Sequence, residues 1–444
     1  MDKRFETHFQ ELGYSAPTMI QTAVATPLAS GENVVGLAPT GSGKTVAFTL
    51  PLLAKLLPGD GTQLLVLAPS QELAQQTATV MRDWASLIGL KVTALTGGAN
   101  VKRQIEKLRQ NPEIVVGTPG RVLNLVSERR LKLHLLVSIV IDEADELLVG
   151  ETRTDVEDII REAPGDVQLS FFSATASPAL DELTQEFGVD VTTIDVRDQD
   201  RTQGDVTHGL MDLPANLRAM MLRRFSRVAG FQALVFFNQL GTLEKAAATL
   251  RHEHVEAVSL AGKQRQVQRA DAMRNFRQGK VKFLLTTDVA ARGLDIPNLP
   301  AVINFDLPDS AVTYTHRVGR TGRMGASGLV INFGNDHDLR RLKQTLKTTD
   351  YQLSPLYFAE NTFVDHRPTS ERTRSQDRPV GIEQPAKPEK QQGVQPTSHK
   401  VKPVKSRQEG QPMQSTKATT PHHKKNKHSK NKGMRHKHRM NQED

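Results

Sequence analysis

The sequence predicts an α/β protein with two successive parallel-sheet units and a basic tail. Short apolar runs alternate with amphipathic stretches from about residue 20 to residue 195, and the same alternation restarts at residue 206. Strands that alternate with helical stretches are typical of parallel sheets with crossover helices. A chain of 444 residues is also too long for one compact core, so two or three domains are expected.

Short apolar runs are the predicted strands of both units. In the first unit they cover residues 33–37, 63–68, 91–95, 114–117, 138–141 and 169–172, with a helix predicted over 71–88. In the second unit they cover residues 206–213, 232–237, 256–260, 281–285, 301–305 and 328–333. A polar stretch separates the two sets. We therefore expect domains over residues 1–197 and 206–363, joined by a linker over 198–205.

The charge of the chain is concentrated at its end. The formal net charge is +9, and residues 366–444 hold 19 Lys and Arg against 7 Asp and Glu. Pro, Gln, Ser, Lys and His dominate there, a composition that buries too little apolar surface to offset chain entropy. Residues 364–444 are thus predicted to be disordered. A basic arm typically contacts nucleic acid, and the alternative is a tail that only solubilises.

Several classes of chemistry are excluded or disfavoured by composition. The chain has no cysteine, which excludes disulfides, thiolate catalysis and cysteine-ligated metal sites. No apolar signal core opens the sequence, and no run approaches the roughly 18 to 20 apolar residues of a membrane span. We expect a cytoplasmic protein that does not contact membranes.

A glycine-rich loop follows the first predicted strand and opens a predicted helix. Its residues are Ala38, Pro39, Thr40, Gly41, Ser42, Gly43, Lys44 and Thr45. Glycines let backbone N–H groups surround a phosphate, Lys44 reaches the β and γ phosphates, and Thr45 offers a ligand to Mg²⁺. The loop predicts binding of a nucleoside triphosphate. The alternative is a glycine-rich turn that merely opens a helix.

An acidic tetrad ends the strand predicted over 138–141. A carboxylate at the tip of a buried strand near a phosphate-binding loop is where such enzymes hold Mg²⁺, and Asp142 takes that position. Glu143 can then orient and deprotonate the attacking water. Read alone, Asp142, Glu143, Ala144 and Asp145 could equally be the capped start of a solvated helix.

The tetrad resembles the signature of the DEAD-box RNA helicases. Other motifs of that family occur before and after it, in the family's order, over roughly residues 9–333. The resemblance implies two tandem RecA-like domains, ATP and Mg²⁺ as ligands, and RNA as the nucleic acid. Gln21 lies in a stretch similar to the family's Q motif, and its amide matches the edge of adenine.

The resemblance also implies roles for residues that would otherwise be ordinary turns. RNA contacts are expected at Pro69, Gly98, Thr118, Arg121, Gln266, Arg269 and Thr287. Asp295 is expected at the ribose of ATP, and coupling of hydrolysis to strand separation is expected at Asp145, Ser173, Thr175 and His316. Arg320 and Arg323 resemble arginine fingers, although a solvated helix face is the alternative.

The sequence departs from the family pattern at three places. Gln71 stands where the family usually has arginine, so a weaker grip on RNA is expected. Phe5 is the nearest candidate for the aromatic that stacks on adenine, and Ala261 replaces a common histidine. None of these departures falls on the expected catalytic groups.

The expected activity is RNA-stimulated ATP hydrolysis by a monomer whose two domains close on ATP and RNA. Closure would clamp one strand and separate a short duplex, and the basic tail would contact structured RNA, with ribonucleoprotein partners possible. Two alternatives stay open. One is an ATP-gated RNA clamp whose unwinding is incidental, and the other is a translocase on double-stranded DNA, which RNA and DNA competition would distinguish.

Overall fold

A computed structural model describes residues 3–200, 202, 204–260, 264, 266–291, 293–294, 296 and 299–368 of the chain. Two seven-stranded parallel sheets with helices between their strands account for most of them. This confirms the predicted α/β class and the two successive sheets. The predicted disorder after residue 363 falls almost wholly on residues 369–444, which lie outside the described residues.

The first sheet and its helices extend from the N-terminal helices to residue 195. Its strands are β1 (Val34–Leu37), β2 (Leu64–Leu67), β3 (Val92–Leu95), β4 (Ile114–Gly117), β5 (Ser138–Asp142), β6 (Gln168–Ser173) and β7 (Thr192–Asp195). Its helices are α1 (Lys3–Glu11), α2 (Met19–Ser30), α3 (Lys44–Leu53), α4 (Gln71–Ser86), α5 (Val101–Leu108), α6 (Pro119–Ser127), α7 (Ala144–Leu147), α8 (Gly150–Arg161), α9 (Pro178–Asp181) and α10 (Leu183–Phe187). We call this part the first domain.

The second sheet begins at residue 206, and we call it and its helices the second domain. Its strands are β8 (Val206–Asp212), β9 (Ala233–Phe237), β10 (Ala257–Leu260), β11 (Phe283–Thr287), β12 (Ala301–Asn304), β13 (Gly328–Gly334) and β14 (Leu353–Pro355). Its helices are α11 (Arg218–Phe225), α12 (Leu240–His252), α13 (Gln266–Arg277), α14 (Asp288–Ala291), α15 (Ala311–Val318) and α16 (Asp336–Thr345), with 3₁₀ turns at Ala215–Leu217 and Arg323–Gly325. A hairpin of β15 (Tyr357–Ala359) and β16 (Thr362–Val364) follows.

The two sheets have the same topology. The first has the strand order β3-β4-β2-β5-β6-β1-β7, and the second has β10-β11-β9-β12-β13-β8-β14. When each sheet is numbered from its own first strand, both orders read 3-4-2-5-6-1-7. In parallel sheets of this kind ligands bind at the carboxyl ends of the strands. The fold therefore presents two equivalent edges on which functional loops are built.

The central strands of each sheet are predictable from the sequence because helices pack on both faces of the sheet. All residues of β2, β4, β5 and β9 are buried, and parallel sheets covered by helices require such continuous apolar runs. The edge strand β7 was missed because three of its four residues are exposed and it has no apolar run. In the described part of the chain, no helix is both long and apolar enough to cross a membrane.

Candidate functional site

The loop after β1 has the backbone conformation that a phosphate cradle requires. Gly41 and Gly43 have φ of 88° and 86°, in the left-handed region that glycine adopts readily. A Cβ at Gly43 would also lie 2.6 Å from Nε2 of Gln21. Lys44 is then the first residue of α3, so the loop sits at the N-terminus of a buried helix. Backbone N–H groups and the helix dipole favour an anion at that place.

Polar side chains of this loop point into it. Lys44 is only 7% exposed, and its Nζ donates to the carbonyl oxygens of Ala38 (2.7 Å) and Pro39 (3.0 Å). The Oγ of Ser42 is buried and has no hydrogen-bond partner among the described residues. An enclosed ammonium beside an unsatisfied hydroxyl suits a phosphate group, which accepts hydrogen bonds from both.

Gln21 connects the N-terminal helices to this loop. Its Oε1 accepts from the N–H of Thr18 at 3.0 Å, and its Nε2 lies 3.4 Å from the carbonyl oxygen of Gly43. The amide is thus held at the start of α2, against the phosphate loop. The suggestion that Phe5 stacks on adenine is wrong for this structure, because Phe5 is 2% exposed and packs edge-on against Trp84 in the core.

Asp142 is the last residue of β5, and Glu143 follows it. Only β6 separates β5 from β1 in the sheet. Asp142 is 3% exposed and accepts a hydrogen bond from the N–H of Glu143 at 3.1 Å. Burial, reinforced by the Glu143 carboxylate and opposed by Lys44, raises the pKa of Asp142 to about 7. The Oε2 of Glu143 is also buried without a partner among the described residues. Buried carboxylate oxygens that lack a counter-charge fit a divalent cation.

A hydrogen-bonded chain joins the acidic tetrad to β6 and to the second domain. Asp145 Oδ2 accepts from the hydroxyl of Thr175, whose N–H in turn donates to Ser173 Oγ at 3.0 Å. The same Oδ2 lies 2.9 Å from His316 Nε2, and His316 Nδ1 lies 2.8 Å from Glu146 Oε1. His316 belongs to α15, so these contacts cross between the domains.

The hydrogen bonds between His316 and the two carboxylates determine the protonation state of the imidazole. Burial lowers the pKa of His316, but hydrogen bonds to Asp145 and Glu146 outweigh it and raise the pKa to about 10. The pKa of Asp145 is lowered, because the hydrogen bonds from His316 and Thr175 outweigh its burial. An imidazolium that donates one N–H to each carboxylate therefore holds α15 of the second domain against α7 of the first.

The three arginines in and after α15, Arg317, Arg320 and Arg323, differ in their burial and surroundings. Arg317 is 1% exposed, and it donates to both carboxylate oxygens of Asp288 at 2.6 and 2.7 Å. Its remaining N–H groups donate to Asn304 Oδ1 (3.0 Å), the Asp306 carbonyl oxygen (2.7 Å) and Asn238 Oδ1 (2.7 Å). All five guanidinium donors are used inside the second domain, so Arg317 is structural.

Arg323 and Arg320 lie beside the first domain, although the Nε of each donates to a carbonyl oxygen of the second domain: His316 for Arg320 (3.2 Å) and Gly319 for Arg323 (2.9 Å). The side chain of Arg323 passes the phosphate loop, with its Cγ 3.4 Å from where a Cβ of Gly41 would stand. Arg320 lines a pocket together with Asp145 and Glu146 of the first domain. The loop itself contacts the second domain, since Thr40 Oγ1 donates to the carbonyl oxygen of Gly319 at 3.1 Å. A Cβ at Gly319 would lie 1.9 Å from that hydroxyl.

A cleft lies between the domains and is lined by residues of both. It has a volume of about 690 Å³. Four of the residues expected to bind RNA line it: Pro69, Gly98, Thr118 and Arg269. Arg121 is not in this lining and donates to Oε1 of Gln104 at 3.2 Å. Thr287 ends β11 and is half-buried. Asp295 and the side chain of Gln266 are outside the described residues.

Some contacts across this cleft involve residues to which the sequence motifs assign no role. Nη2 of Arg269 pairs with Oε1 of Glu72 at 2.6 Å, and this ion pair joins α13 to the first turn of α4. Gly293 packs so tightly on α4 that a Cβ would lie 2.3 Å from the N of Leu73. Glu72 and Glu146 are thus interdomain partners; Glu72 directly follows Gln71, and Glu146 directly follows the acidic tetrad. Proximity to a motif was the only signal available for them.

Gln71 lies on the first-domain side of the cleft, against the glycine pair after β3. Its Oε1 is 3.3 Å from the place where a Cβ of Gly98 would stand, and its Nε2 is equally close to that of Gly97. The side chain is exposed and uncharged. It can donate a hydrogen bond to a phosphate at this point but adds no positive charge.

Comparisons with known proteins agree with this architecture. Residues 18–183 match the family model described as DEAD/DEAH box helicase, and residues 214–325 match the helicase conserved C-terminal domain. The chain is 38% identical to a probable ATP-dependent RNA helicase, YfmL, of Bacillus subtilis, over 78% of this chain and 92% of that one. It is 33% identical to the DEAD-box ATP-dependent RNA helicase CshC of Bacillus cereus, over 81% of this chain and 92% of that one.

A solved structure shows the same two-domain arrangement. Saccharomyces cerevisiae Dbp5 bound to RNA and ADP BeF3 is 28% identical, with a TM-score of 0.71 over 79% of this chain and 93% of that one. The phosphate loop, the buried acidic strand end and the arginines of the second domain thus occur here in the order and fold of a known family, and the chain belongs to the DEAD-box ATP-dependent RNA helicases.

Proposed function

We propose that this chain hydrolyses ATP when RNA brings its two domains together, and that closure locally separates short RNA duplexes. The observation that carries the proposal is the meeting of both domains at one site. Thr40 bonds to Gly319, and Arg323 passes Gly41. Phosphoryl transfer depends mainly on positioning and charge stabilisation, so a site divided between two domains is complete only when they close.

The residues around the phosphate loop divide the chemical work. Lys44 and the loop amides hold the phosphates, Gln21 reads the adenine, and Asp295 contacts the ribose. Glu143 orients the attacking water and accepts its proton, and Arg320 and Arg323 stabilise charge that develops on the γ-phosphoryl group. Thr45 and Asp142 would hold Mg²⁺, which when bound neutralises phosphate charge. Burial raises the pKa of Asp142 to about 7, and a bound cation would favour the charged carboxylate at this place.

The cleft at Pro69, Gly98, Thr118 and Arg269 is the proposed path of one RNA strand, with Arg121, Gln266 and Thr287 as further contacts. A strand bound by both domains has to follow the shape of the closed cleft. A regular duplex does not fit that shape, so base pairs next to the clamp separate. Asp145, Ser173, Thr175 and His316 link this movement to the ATP site through the hydrogen bonds described above.

The direct test compares ATP turnover with and without RNA, beside release of a labelled strand from a short duplex. The proposal predicts that RNA accelerates turnover and that release requires ATP. Turnover that RNA leaves unchanged would contradict it. Turnover that RNA accelerates, without release of any strand, would favour an ATP-gated clamp.

Arginine in place of Gln71 is expected to tighten RNA binding. The added guanidinium would stand beside the Gly97–Gly98 turn, where it can contact one more phosphate. One further phosphate contact steepens the dependence of log K on log salt by roughly one. Binding of a short single strand over a salt series measures this effect. Gln185→Arg on α10, an exposed site away from the cleft, is the matched control, and equal tightening in both variants would contradict the assignment.

The contact at His316 should make domain closure depend on pH. Closure raises the pKa of His316 from its ordinary value, roughly 6.5, to about 10. The closed form therefore holds an extra proton between these values, and the stabilisation is full below pH 6.5 and is lost progressively as pH rises towards 10. Interdomain energy transfer measured from pH 6.5 to 10 should fall in the wild type and stay level in His316→Gln. Parallel curves for the two proteins would refute this role.

For the tail we propose electrostatic contact with structured RNA. Removal of residues 367–444 should weaken binding of a folded RNA and flatten its salt dependence, while turnover without RNA is retained. An unchanged salt slope would make the tail a solubilising segment only.

A further inference from the structure

A basic surface lies at the edge of the first sheet that the ATP and RNA clefts do not use. One pocket there has a volume of about 420 Å³ and contains the cationic side chains Arg109, Arg129, Arg130 and Lys132 in its lining. A second pocket, of about 410 Å³, is lined in part by Arg82, Lys91 and Lys107. We call these seven side chains the amino-edge patch. Asp60 is the one acidic residue among the described residues that line the two pockets.

The fold puts these residues together because they all precede strands or lie beside their starts. Residues 129–132 lead into β5, Arg109 precedes β4, and Lys91 precedes β3. Strands β3, β4, β2 and β5 are neighbours in that order and are parallel, so their amino ends share one edge. The phosphate loop and the acidic tetrad follow carboxyl ends, on the opposite edge. Strands of about four residues separate the two edges by only about 13 Å.

Burial of alternate residues turns the basic side chains of one segment outward. Leu131 and Leu133 are each 4% exposed and pack in the core below the sheet. Arg130 and Lys132, which alternate with them, are exposed. The segment is therefore anchored by its leucines, and the direction of its cations is fixed by the fold.

The cations of the patch are also left without counter-charges. Arg109, Arg129, Arg130 and Lys132 form no ion pair with any residue that the structure describes. Arg153 and Arg161 of the same domain, in contrast, are paired: Arg153 with Glu157 and Glu186, and Arg161 with Glu157.

A buried carboxylate near these pockets is already fully engaged. Glu113 is 1% exposed, and its two oxygens accept from the N–H groups of Gly59 and Lys91, each at 2.7 Å. It cannot turn outward to pair with a surface arginine without leaving both amides unsatisfied. Glu113 therefore forms no ion pair with the patch, and a polyanion bound there would relieve the repulsion among its cations.

We propose that the amino-edge patch binds the phosphate backbone of duplex RNA that adjoins the strand held in the cleft. This inference rests on the proposed RNA-clamping function. The chain outside the tail carries slightly more acidic than basic residues, so a concentration of unpaired cations at one edge is a local feature. Four neighbouring strands give the edge a width of about 14 Å, enough for several phosphates of one backbone. Cations without base-reading partners bind such a backbone regardless of sequence.

The test uses the full chain with Arg130→Ala and Lys132→Ala combined. Two probes are compared over a salt series by fluorescence anisotropy: a short single-stranded RNA, and the same strand extended by a duplex. We expect affinity for the extended RNA to fall at least about fivefold and its salt slope to shrink by roughly two. Binding of the short strand, and the ATP turnover that it stimulates, should be unchanged. Combined R130K and K132R should retain binding of the extended RNA.

The control is the combined Arg340→Ala and Arg341→Ala variant, which removes the same charge from exposed positions of α16. Equal losses for both RNAs in the patch variant would overturn the proposal, because they indicate a general change in charge. No loss beyond that of the control would also overturn it, and would be the result if the patch bound an acidic protein. Failure of the short strand to stimulate wild-type turnover would instead overturn the proposed function, so the two failures are distinguishable.

Discussion

Glutamine in place of Glu143 is expected to lower RNA-stimulated ATP turnover by about 10² to 10⁴-fold, the usual contribution of a general base. The carboxylate has one buried oxygen without a partner among the described residues, and a left-handed backbone conformation (φ 54°) holds it at the end of β5. Glutamine keeps the shape of the side chain but cannot accept the proton of the attacking water.

Measurements of ATP and RNA binding distinguish the loss of the general base from damage to the binding site. Glu143→Gln should still bind ATP and close on RNA, and it should hold RNA longer because hydrolysis no longer reopens the cleft. Glu151→Gln, an exposed carboxylate on α8, is the matched control and should turn over ATP like the wild type. If Glu143→Gln retained more than about a tenth of wild-type turnover, the water-activating group would have to be sought elsewhere.

Alanine in place of Arg323 is expected to lower turnover by about 10³-fold or more, the contribution typical of an arginine finger. The side chain passes Gly41 of the phosphate loop, so its guanidinium is available to the phosphates only when the domains are in contact. Binding of ATP to the first domain should be nearly unchanged, because Lys44 and the loop amides remain. The measurement is kcat and nucleotide affinity, determined separately.

Arg317→Ala supplies the contrast that tests this division among the arginines. All five donors of Arg317 are engaged within the second domain, chiefly with Asp288. Removal of one partner from a buried ion pair costs about 3 to 5 kcal/mol, so this variant should unfold at a lower temperature. Arg323→Ala should leave the melting temperature close to that of the wild type. A large loss of stability in Arg323→Ala, with turnover lost only in proportion, would make Arg323 structural as well.

The sequence made the sheets predictable because the central parallel strands are buried on both faces. Uninterrupted apolar runs such as Ile114–Gly117 have little other use in a protein of this composition. The edge strands β7 and β14 carry no such run: three of the four residues of β7 are exposed, and none of the three residues of β14 is fully buried. Their pairing with β1 and β8 is a tertiary event that no local pattern records.

For the site, local motifs predicted which residues are special but not what each one contacts. The resemblance singles out Arg320 and Arg323, but only the fold shows that Arg317 is buried with all its donors engaged while the other two lie beside the first domain. The pairing of Glu72 with Arg269 and of Glu146 with His316 joins residues far apart in the chain. Such contacts depend on how the domains meet, which spacing within a motif does not specify.

The central claim is that ATP and RNA together close the domains and so complete the catalytic site. The chain has no cysteine, so two introduced cysteines can carry dyes without side reactions. Glu151→Cys on α8 and Lys245→Cys on α12 place one dye on an exposed position of each domain. Energy transfer should change with ATP and short RNA together, and much less with either alone. An equal change with ATP alone, or no change with both, would contradict the account.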